Sequence, residues 1–306
     1  MKLITAGAVA ALMLAAAACT PAENAKRPEA KAEAAAPAVA SPDVHPFRIG
    51  ALEAFSLKDG DLALPVGGAD IPWKDASIAT VLTAAGQPAD AVHLSIQPLL
   101  IRDADRLVLI DTGAGGAMGT ASKLQASLTA AGVTPEQITD ILISHDHDDH
   151  IGGLVTQTGA LAFPNATVHI AAADWEHMKA NPAIAALVAA ITPKAQPFAP
   201  GSVVAPNITA VPLAGHTAGH TGYEIVSGAD RLLYFGDALH SSVLSVGHPE
   251  WTNAWDIDGG IGAATRKSLL ERAAGQNLRL YGGHFPFPGV GHVQKAVEGY
   301  VWVPET

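Results

Sequence analysis

The sequence predicts an α+β domain in which β-sheets pack against one another with helices on the outside. Three observations predict it. Short strand-like runs alternate with helical segments, several runs pair across tight turns, and neither an internal repeat nor a second linker divides residues 45–306.

In chain order, Leu94–Arg102 and Arg106–Asp111 are apolar runs around Asp103-Ala104-Asp105, which reads as a hairpin. Ala121–Ala131 sets Leu124, Leu128 and Ala131 on one helical face, and Gly132 stops it. Thr134-Pro135-Glu136-Gln137 is a capping-box start with Pro at the first helical position. Ile141–Ser144 then reads as a short buried strand, Ala166–Ala171 as another, and Pro182–Ile191 as an Ala-rich helix. Ile208–Ala214, Gly222–Val226 and Arg231–Phe235 are strands, the last two joined by a Gly-Ala-Asp turn. The helix Ala263–Ala274 and the strand Leu278–Tyr281 close the series.

The composition bounds the chemistry. Of 306 residues 49% are apolar, enough for a full core, and 18 Lys plus Arg against 29 Asp plus Glu leave a formal charge of −11. That balance disfavours nucleic-acid and anionic-lipid surfaces as partners. One Cys against thirteen His excludes an internal disulfide, a Cys-rich zinc site and an iron–sulfur cluster. A metal here must be held by His and carboxylates, a donor set that suits Zn, Mn or Fe.

The N-terminus reads as address and tether. Met1-Lys2 precedes an uncharged run, Leu3–Ala18, of 16 residues. This is short of the ~20 a membrane span needs and fits a secretory h-region. It ends at Ala16-Ala17-Ala18-Cys19, which resembles the lipobox of bacterial lipoproteins with Ala16 where Leu is usual. Residues 1–18 are thus expected to be a signal peptide, with Cys19 as a lipidated mature N-terminus in the periplasm. The competing reading is an ordinary cleaved signal. Residues 19–44, rich in Ala, Pro, Glu and Lys, bury too little to fold and read as a flexible linker. The domain is expected over 45–306.

The chemistry concentrates in Ser144-His145-Asp146-His147-Asp148-Asp149-His150-Ile151-Gly152-Gly153. Three His and three Asp in six residues, directly after a strand, can converge on a cation from one loop. Three further strands end similarly, at Gly215-His216, Gly236-Asp237 and Gly282-Gly283-His284, where Gly permits close backbone approach. Any one of these alone reads as a turn; four together read as one site.

His145-x-His147-x-Asp149-His150, succeeded in order by His216, Asp237 and His284, resembles the metallo-β-lactamase-fold hydrolases over residues 46–303. Within them the chain is similar to the methyl parathion hydrolase group. Leu109–Gly113, Leu161–Ala166 and His284–His292 carry that likeness. The resemblance implies an αββα sandwich and a binuclear centre of two divalent ions, zinc foremost. It implies His145, His147 and His216 on the first ion, Asp149, His150 and His284 on the second, and Asp237 bridging. Asp149 and Asp237 are the implied catalytic carboxylates.

The resemblance also implies hydrolysis by a hydroxide shared between the ions, attacking a carboxylic ester, lactone or phosphotriester. The expected partners are small-molecule substrates, with no nucleic acid and a membrane only through the N-terminal anchor. β-Lactam hydrolysis is the alternative within the fold, disfavoured because no Cys comes after Cys19. A di-iron oxidoreductase is disfavoured because His147 stands where those members carry Glu. A nuclease would need a basic surface. The non-enzyme alternative is a periplasmic metal-binding protein, which turnover separates from an enzyme.

Other residues are set aside. His220 reads as structural, Asp111 as orienting the His loop, and Asp146 and Asp148 as solvent-facing or capping. His292 reads as packed, and His45, His93, His169, His177, His240 and His248 have no spacing that ties them to the cluster. Met118, Trp175, Trp251, Trp255, Phe285 and Phe287 are candidate pocket walls. The shape of the substrate site is expected in the loops of Leu62–Leu100 and Ser241–Gly260.

Overall fold

The computed structural model describes residues 41–305. The signal-like segment, Cys19 and most of the linker lie outside the described residues. Strand β1 (Val44–Ile49) forms a hairpin with β2 (Leu52–Leu57), so the first strand starts one residue ahead of the expected boundary. Next come β3 (Gly60–Pro65), α1 (Ile78–Ala84), β4 (Ala91–Ile96), β5 (Leu99–Asp103) and β6 (Arg106–Ile110). The first half continues with α2 (Leu124–Ala130), β7 (Asp140–Ile143), α3 (Asp148–Ile151) and β8 (Thr167–Ala171). It ends with α4 (Ala172–Ala180), α5 (Ala185–Ile191) and β9 (Ala195–Phe198). The second half begins with β10 (Val203–Ala205), β11 (Ile208–Pro212), β12 (Thr221–Ser227) and β13 (Asp230–Tyr234). It is completed by α6 (Leu244–Gly247), α7 (Gly259–Gln276), β14 (Arg279–Tyr281), β15 (Val290–Lys295) and β16 (Tyr300–Pro304).

Two seven-stranded sheets result, in the orders β1-β2-β5-β6-β7-β8-β9 and β10-β11-β12-β13-β14-β15-β16. Pairing is parallel from β6 to β9 and between β13 and β14, and antiparallel elsewhere. The side-chain alternation of a strand explains the layering. Leu99, Ile101, Val108, Ile110 and Leu142 of the first sheet meet Ile208, Tyr223, Leu232, Tyr234 and Tyr281 of the second in one core. The intervening positions Leu100, Leu109 and Ile141 turn outward onto Leu124, Leu128, Trp175 and Met178. On the far side Leu233 and Leu280 pack against Leu269, Leu270 and Ala273 of α7. Helix–sheet–sheet–helix is the αββα sandwich.

Three expectations need correction. Leu94–Arg102 is two strands, because Gln97-Pro98 breaks it and β4 leaves to pair with β3. Proline supplies no ladder donor. The break has a use: Gln97 Nε2 donates to the carbonyls of Gly282 (2.7 Å) and Phe285 (3.0 Å), bracing the loop that carries His284. The capping box at Thr134 forms as expected but starts only one 3-10 turn, Pro135–Gln137. Pro182–Ile191 opens with a 3-10 turn and is α-helical from Ala185. Sequence patterning alone did not reveal β1–β3, α1, α3, α4, β9, β10, α6, β15 or β16.

Candidate metal centre

The chain reverses sharply at the end of β7, and the short helix α3 begins at Asp148. This places His145, His147, Asp149 and His150 around one turn. His216 comes after β11, Asp237 sits in the 3-10 turn Gly236–Ala238 after β13, and His284 comes after β14. Gly236 is required there. It has φ +52°, and a Cβ would lie 2.6 Å from His220 Nε2.

These seven side chains gather into two groups. His145, His147, His216 and Asp237 form one, and Asp149, His150 and His284 the other. Asp237 faces both. Its Oδ2 lies 3.6 Å from His145 Nε2 and 3.4 Å from His216 Nε2. Its Oδ1 lies 3.3 Å from His150 Nε2 and 3.1 Å from His284 Nε2. Asp149 Oδ2 completes the second group, 3.7 Å from His150 Nε2 and 3.4 Å from His284 Nε2.

This donor set fits a pair of divalent ions. Ligand atoms ~2.0–2.1 Å from a tetrahedral centre stand roughly 3.3 Å apart, within the spread seen here. His145 Nε2, His150 Nε2 and Asp237 Oδ1 are also buried without a hydrogen-bond partner, a costly state unless something else satisfies them.

The outward ring nitrogens are held by other groups. His150 Nδ1 donates to Asp111 Oδ2 at 2.7 Å, and the same oxygen accepts from Ser144 Oγ and Tyr234 Oη, each at 2.6 Å. Asp111 therefore orients the His loop, as expected. His216 Nδ1 donates to Asp256 Oδ1 (3.1 Å), whose other oxygen accepts from Arg266 (2.8 Å). His284 Nδ1 donates to the Ser95 carbonyl at 2.8 Å. His220 has the structural role expected of it: Nδ1 donates to the Leu213 carbonyl and Nε2 accepts the Asp237 backbone N–H, both at 2.8 Å.

The electrostatics derive from burial and company. Burial pushes the Asp237 carboxyl up, but His284, His150, His240 and His145 outweigh it and hold the group well below the carboxylate range. Burial pushes His284 down, yet Asp237 and Asp149 raise it to about 9. His220, buried against His216, falls to about 3 and stays neutral.

A model of the metallo-beta-lactamase superfamily matches residues 94–284. The chain belongs to this superfamily. Among solved structures, that of AidC, a dizinc quorum-quenching lactonase in complex with a product, is 30% identical with a TM-score of 0.80. That match covers 86% of this chain and 97% of the other. The hydrolase AbOPH of the beta-lactamase superfamily is 26% identical with a TM-score of 0.77, covering 86% and 98%. A probable metal-dependent hydrolase from Staphylococcus aureus shares the fold at 20% identity and a TM-score of 0.70, covering 85% and 99%. The sequence has no significant match among curated proteins.

Two residues of the site were not expected from the sequence. His240 is buried at the centre, with Nε2 3.0 Å from Asp237 Oδ2, and Asn253 Nδ2 donates to its Nδ1 at 3.0 Å. The 3-10 turn brings residue 240 back over residue 237, so Asp-x-x-His was the available signal. Asp146 is buried rather than solvent-facing, and its Oδ2 lies 2.5 Å from His177 Nδ1. Asp148 is exposed as expected.

The centre opens into a cavity of about 620 Å3. Leu62, Leu64, Leu94, Met118 and Trp255 line an apolar side, so two of the six candidate wall residues are in place. Trp175 and Phe285 belong to the cores, Trp251 stacks on His248, and Phe287 stands beside Lys58. The loop segments expected to shape the site do contribute, together with His177 and Asn181 near the end of α4.

Proposed function

We propose that this protein is a binuclear metal-dependent hydrolase that opens uncharged lactones carrying an apolar acyl arm. One observation carries the reading: a buried carboxylate, Asp237, directs one oxygen at each of two donor groups on the floor of a partly apolar cavity. His145, His147, His216 and Asp237 would hold one ion, and Asp149, His150, His284 and Asp237 the other. Two such ions, when bound, supply an activated water and a Lewis acid for the scissile carbonyl. Zinc suits the N/O donors and is the metal named for the AidC lactonase.

The chain's own residues do the rest. Asp111, Asp256 and the Ser95 carbonyl fix the rings of His150, His216 and His284. His220 fixes the backbone of Asp237. His240, itself fully buried, directs Nε2 at Asp237 Oδ2 and helps hold that carboxylate in place. The apolar side of the cavity would exclude water from an acyl chain and hold it.

Charge argues against the β-lactam alternative. Among the described residues no Lys or Arg lines the cavity, while Asp70, Asp146 and Asp148 do. A β-lactam antibiotic carries a carboxylate and would meet these acids with no Lys or Arg to pair with, whereas lactones, simple esters and phosphotriesters are uncharged. We rank lactones first among these because AidC, a structure 30% identical to this chain, is a quorum-quenching lactonase.

The test is a substrate panel on the chain lacking residues 1–19, containing N-acyl-homoserine lactones, aryl esters, a paraoxon-type triester and a chromogenic cephalosporin. The lactones should be turned over best, and a chelator should abolish all activity until Zn is restored. Chelator-resistant turnover would overturn the reading. Export belongs to the same proposal: Cys19 anchors the mature chain to a bacterial membrane on the periplasmic side. Cys19→Ala should then move the protein out of the membrane fraction, and an unchanged distribution would count against lipidation.

A further inference from the structure

Outside the seven candidate ligands, the cavity has few groups able to attract an acceptor oxygen. Its remaining acids are Asp70, Asp146 and Asp148, and its remaining side-chain donors are His177, Asn181 and Trp255. Of these donors only His177 can carry a charge. It stands in the last turn of α4, with its side chain 62% exposed and its Nδ1 2.5 Å from an Asp146 carboxylate that is 2% exposed. A ring tethered through Nδ1 to a buried carboxylate has a fixed plane, which leaves Nε2 as its free polar atom.

The helix beneath it is also tied down. One turn earlier, Asp174 is fully buried and accepts from Thr217 Oγ1 (2.8 Å) and the Gly219 N–H (2.6 Å). The two side chains link α4 to the loop of His145 and His147 on one side and to the loop of His216 on the other. His177 therefore has a set position relative to the first donor group, although it lies on the cavity rim. The hydrogen bond and the charge of Asp146 also raise its basicity, keeping the ring protonated to higher pH than a free imidazole.

Resting on the lactonase reading, we propose that His177 is a specificity-determining residue that contacts the substrate. Its Nε2–H donates to the carbonyl oxygen of the acyl-amide arm outside the lactone ring. Asp146 acts through it as a positioning residue. The apolar wall of Leu62, Leu64, Leu94, Met118 and Trp255 would take the alkyl part of the arm, and His177 its one polar group. Lactones with an amide beside the ring are thereby separated from alkyl lactones of the same length.

The experiment compares the zinc-loaded native chain with His177→Leu and His177→Gln. The two substrates are an N-hexanoyl-homoserine lactone and a γ-lactone whose alkyl arm has similar length but no amide. Loss of a hydrogen bond to a charged donor is worth about tenfold or more, so His177→Leu should raise KM for the amide-bearing lactone by that factor. Its kcat and its two bound ions should be little changed, and KM for the alkyl lactone should stay put. His177→Gln, which keeps a donor, should recover part of the loss. Equal losses on both lactones, a loss on neither, or a fall in kcat at constant KM would each overturn the assignment. If the native chain opens neither lactone, the lactonase reading fails and this inference with it. If the native chain opens both and the variants keep its preference, only the role of His177 fails.

Discussion

Asp111→Asn isolates what the partners behind a candidate ligand contribute. Asp111 sits at φ +60°, a conformation that Asn also adopts readily, so the substitution adds little backbone strain where Ala would. Its Oδ1 accepts from the Ser144 N–H at 2.7 Å, while Oδ2 accepts from Ser144 Oγ, His150 Nδ1 and Tyr234 Oη at 2.6, 2.7 and 2.6 Å. Asn offers one acceptor oxygen. Placed at the Oδ2 position, that oxygen keeps three donors but turns its NH2 against the Ser144 N–H; the flipped orientation loses three contacts instead. The first arrangement wins. It leaves one buried backbone donor unpaired, at about 1–3 kcal/mol. The charge behind His150 is also lost, which should weaken the second ion by about 10- to 100-fold. The assays are chelator competition for each ion and urea unfolding of the ion-free chain. The first ion should bind almost as before, the second should weaken, and the unfolding midpoint should fall. Wild-type affinity at both sites would refute the view that Asp111 orients and polarises His150.

Two further substitutions test the same kind of dependence. Asp237→Asn removes the charge shared by both groups and should cut turnover by more than the ~100-fold an outer partner commands, with loss of bound metal read by mass spectrometry; full activity with two ions would reject the bridge. Asp140→Asn should destabilise the ion-free chain by about 1–2 kcal/mol near neutral pH, because hydrogen bonds from His169, Thr139 and Arg106 overcome burial and lower the Asp140 carboxyl from 3.8 to about 2. A lowered carboxyl stabilises the fold fully above its unfolded value of 3.8 and loses that contribution as pH falls through about 2. The gap between variant and wild type in unfolding experiments should therefore close towards acid, and a gap that widens would contradict the assignment.

The ligand loop was legible because its four donors fall within six residues, a density that few other structures explain. His216, Asp237 and His284 were legible through strand-end position and neighbouring glycines, once the strands themselves were found. Helical periodicity and turn chemistry found the hairpin at Ala104 and the helix before Gly132. What stayed hidden depends on contacts between distant segments. Asp146 is 31 residues from His177, and its burial results from α4 covering the loop. Arg266 reaches Asp256, which in turn reaches His216, across three separate elements. The break at Gln97-Pro98 was missed because the apolar residues on either side read as one run, although Pro98 was itself a break signal. Contacts of Ser95 and Gln97 with the distant His284 loop, which the sequence does not show, hold the bend.

Neither half of the sandwich owns a complete set of donors. His145, His147, Asp149 and His150 leave the first sheet, whereas His216, Asp237 and His284 leave the second. The halves already touch through polar contacts near the site: Tyr223 Oη donates to the Ile143 carbonyl (2.6 Å), the Thr221 N–H to the Ser144 carbonyl (2.9 Å), and Tyr234 Oη to Asp111 (2.6 Å). An ion held from both sides would add to those ties, by about 4 kcal/mol at a thousandfold excess over its dissociation constant. In the ion-free protein, protons do part of that work. Burial lowers His284 but Asp237 and Asp149 raise it to about 9, so a proton there offsets part of their negative charge. An arriving ion must displace it, because a ligating imidazole is neutral. Metal loading at neutral pH should therefore release protons from the site, and the exchange of proton for ion lets the same buried donors remain in place in either state.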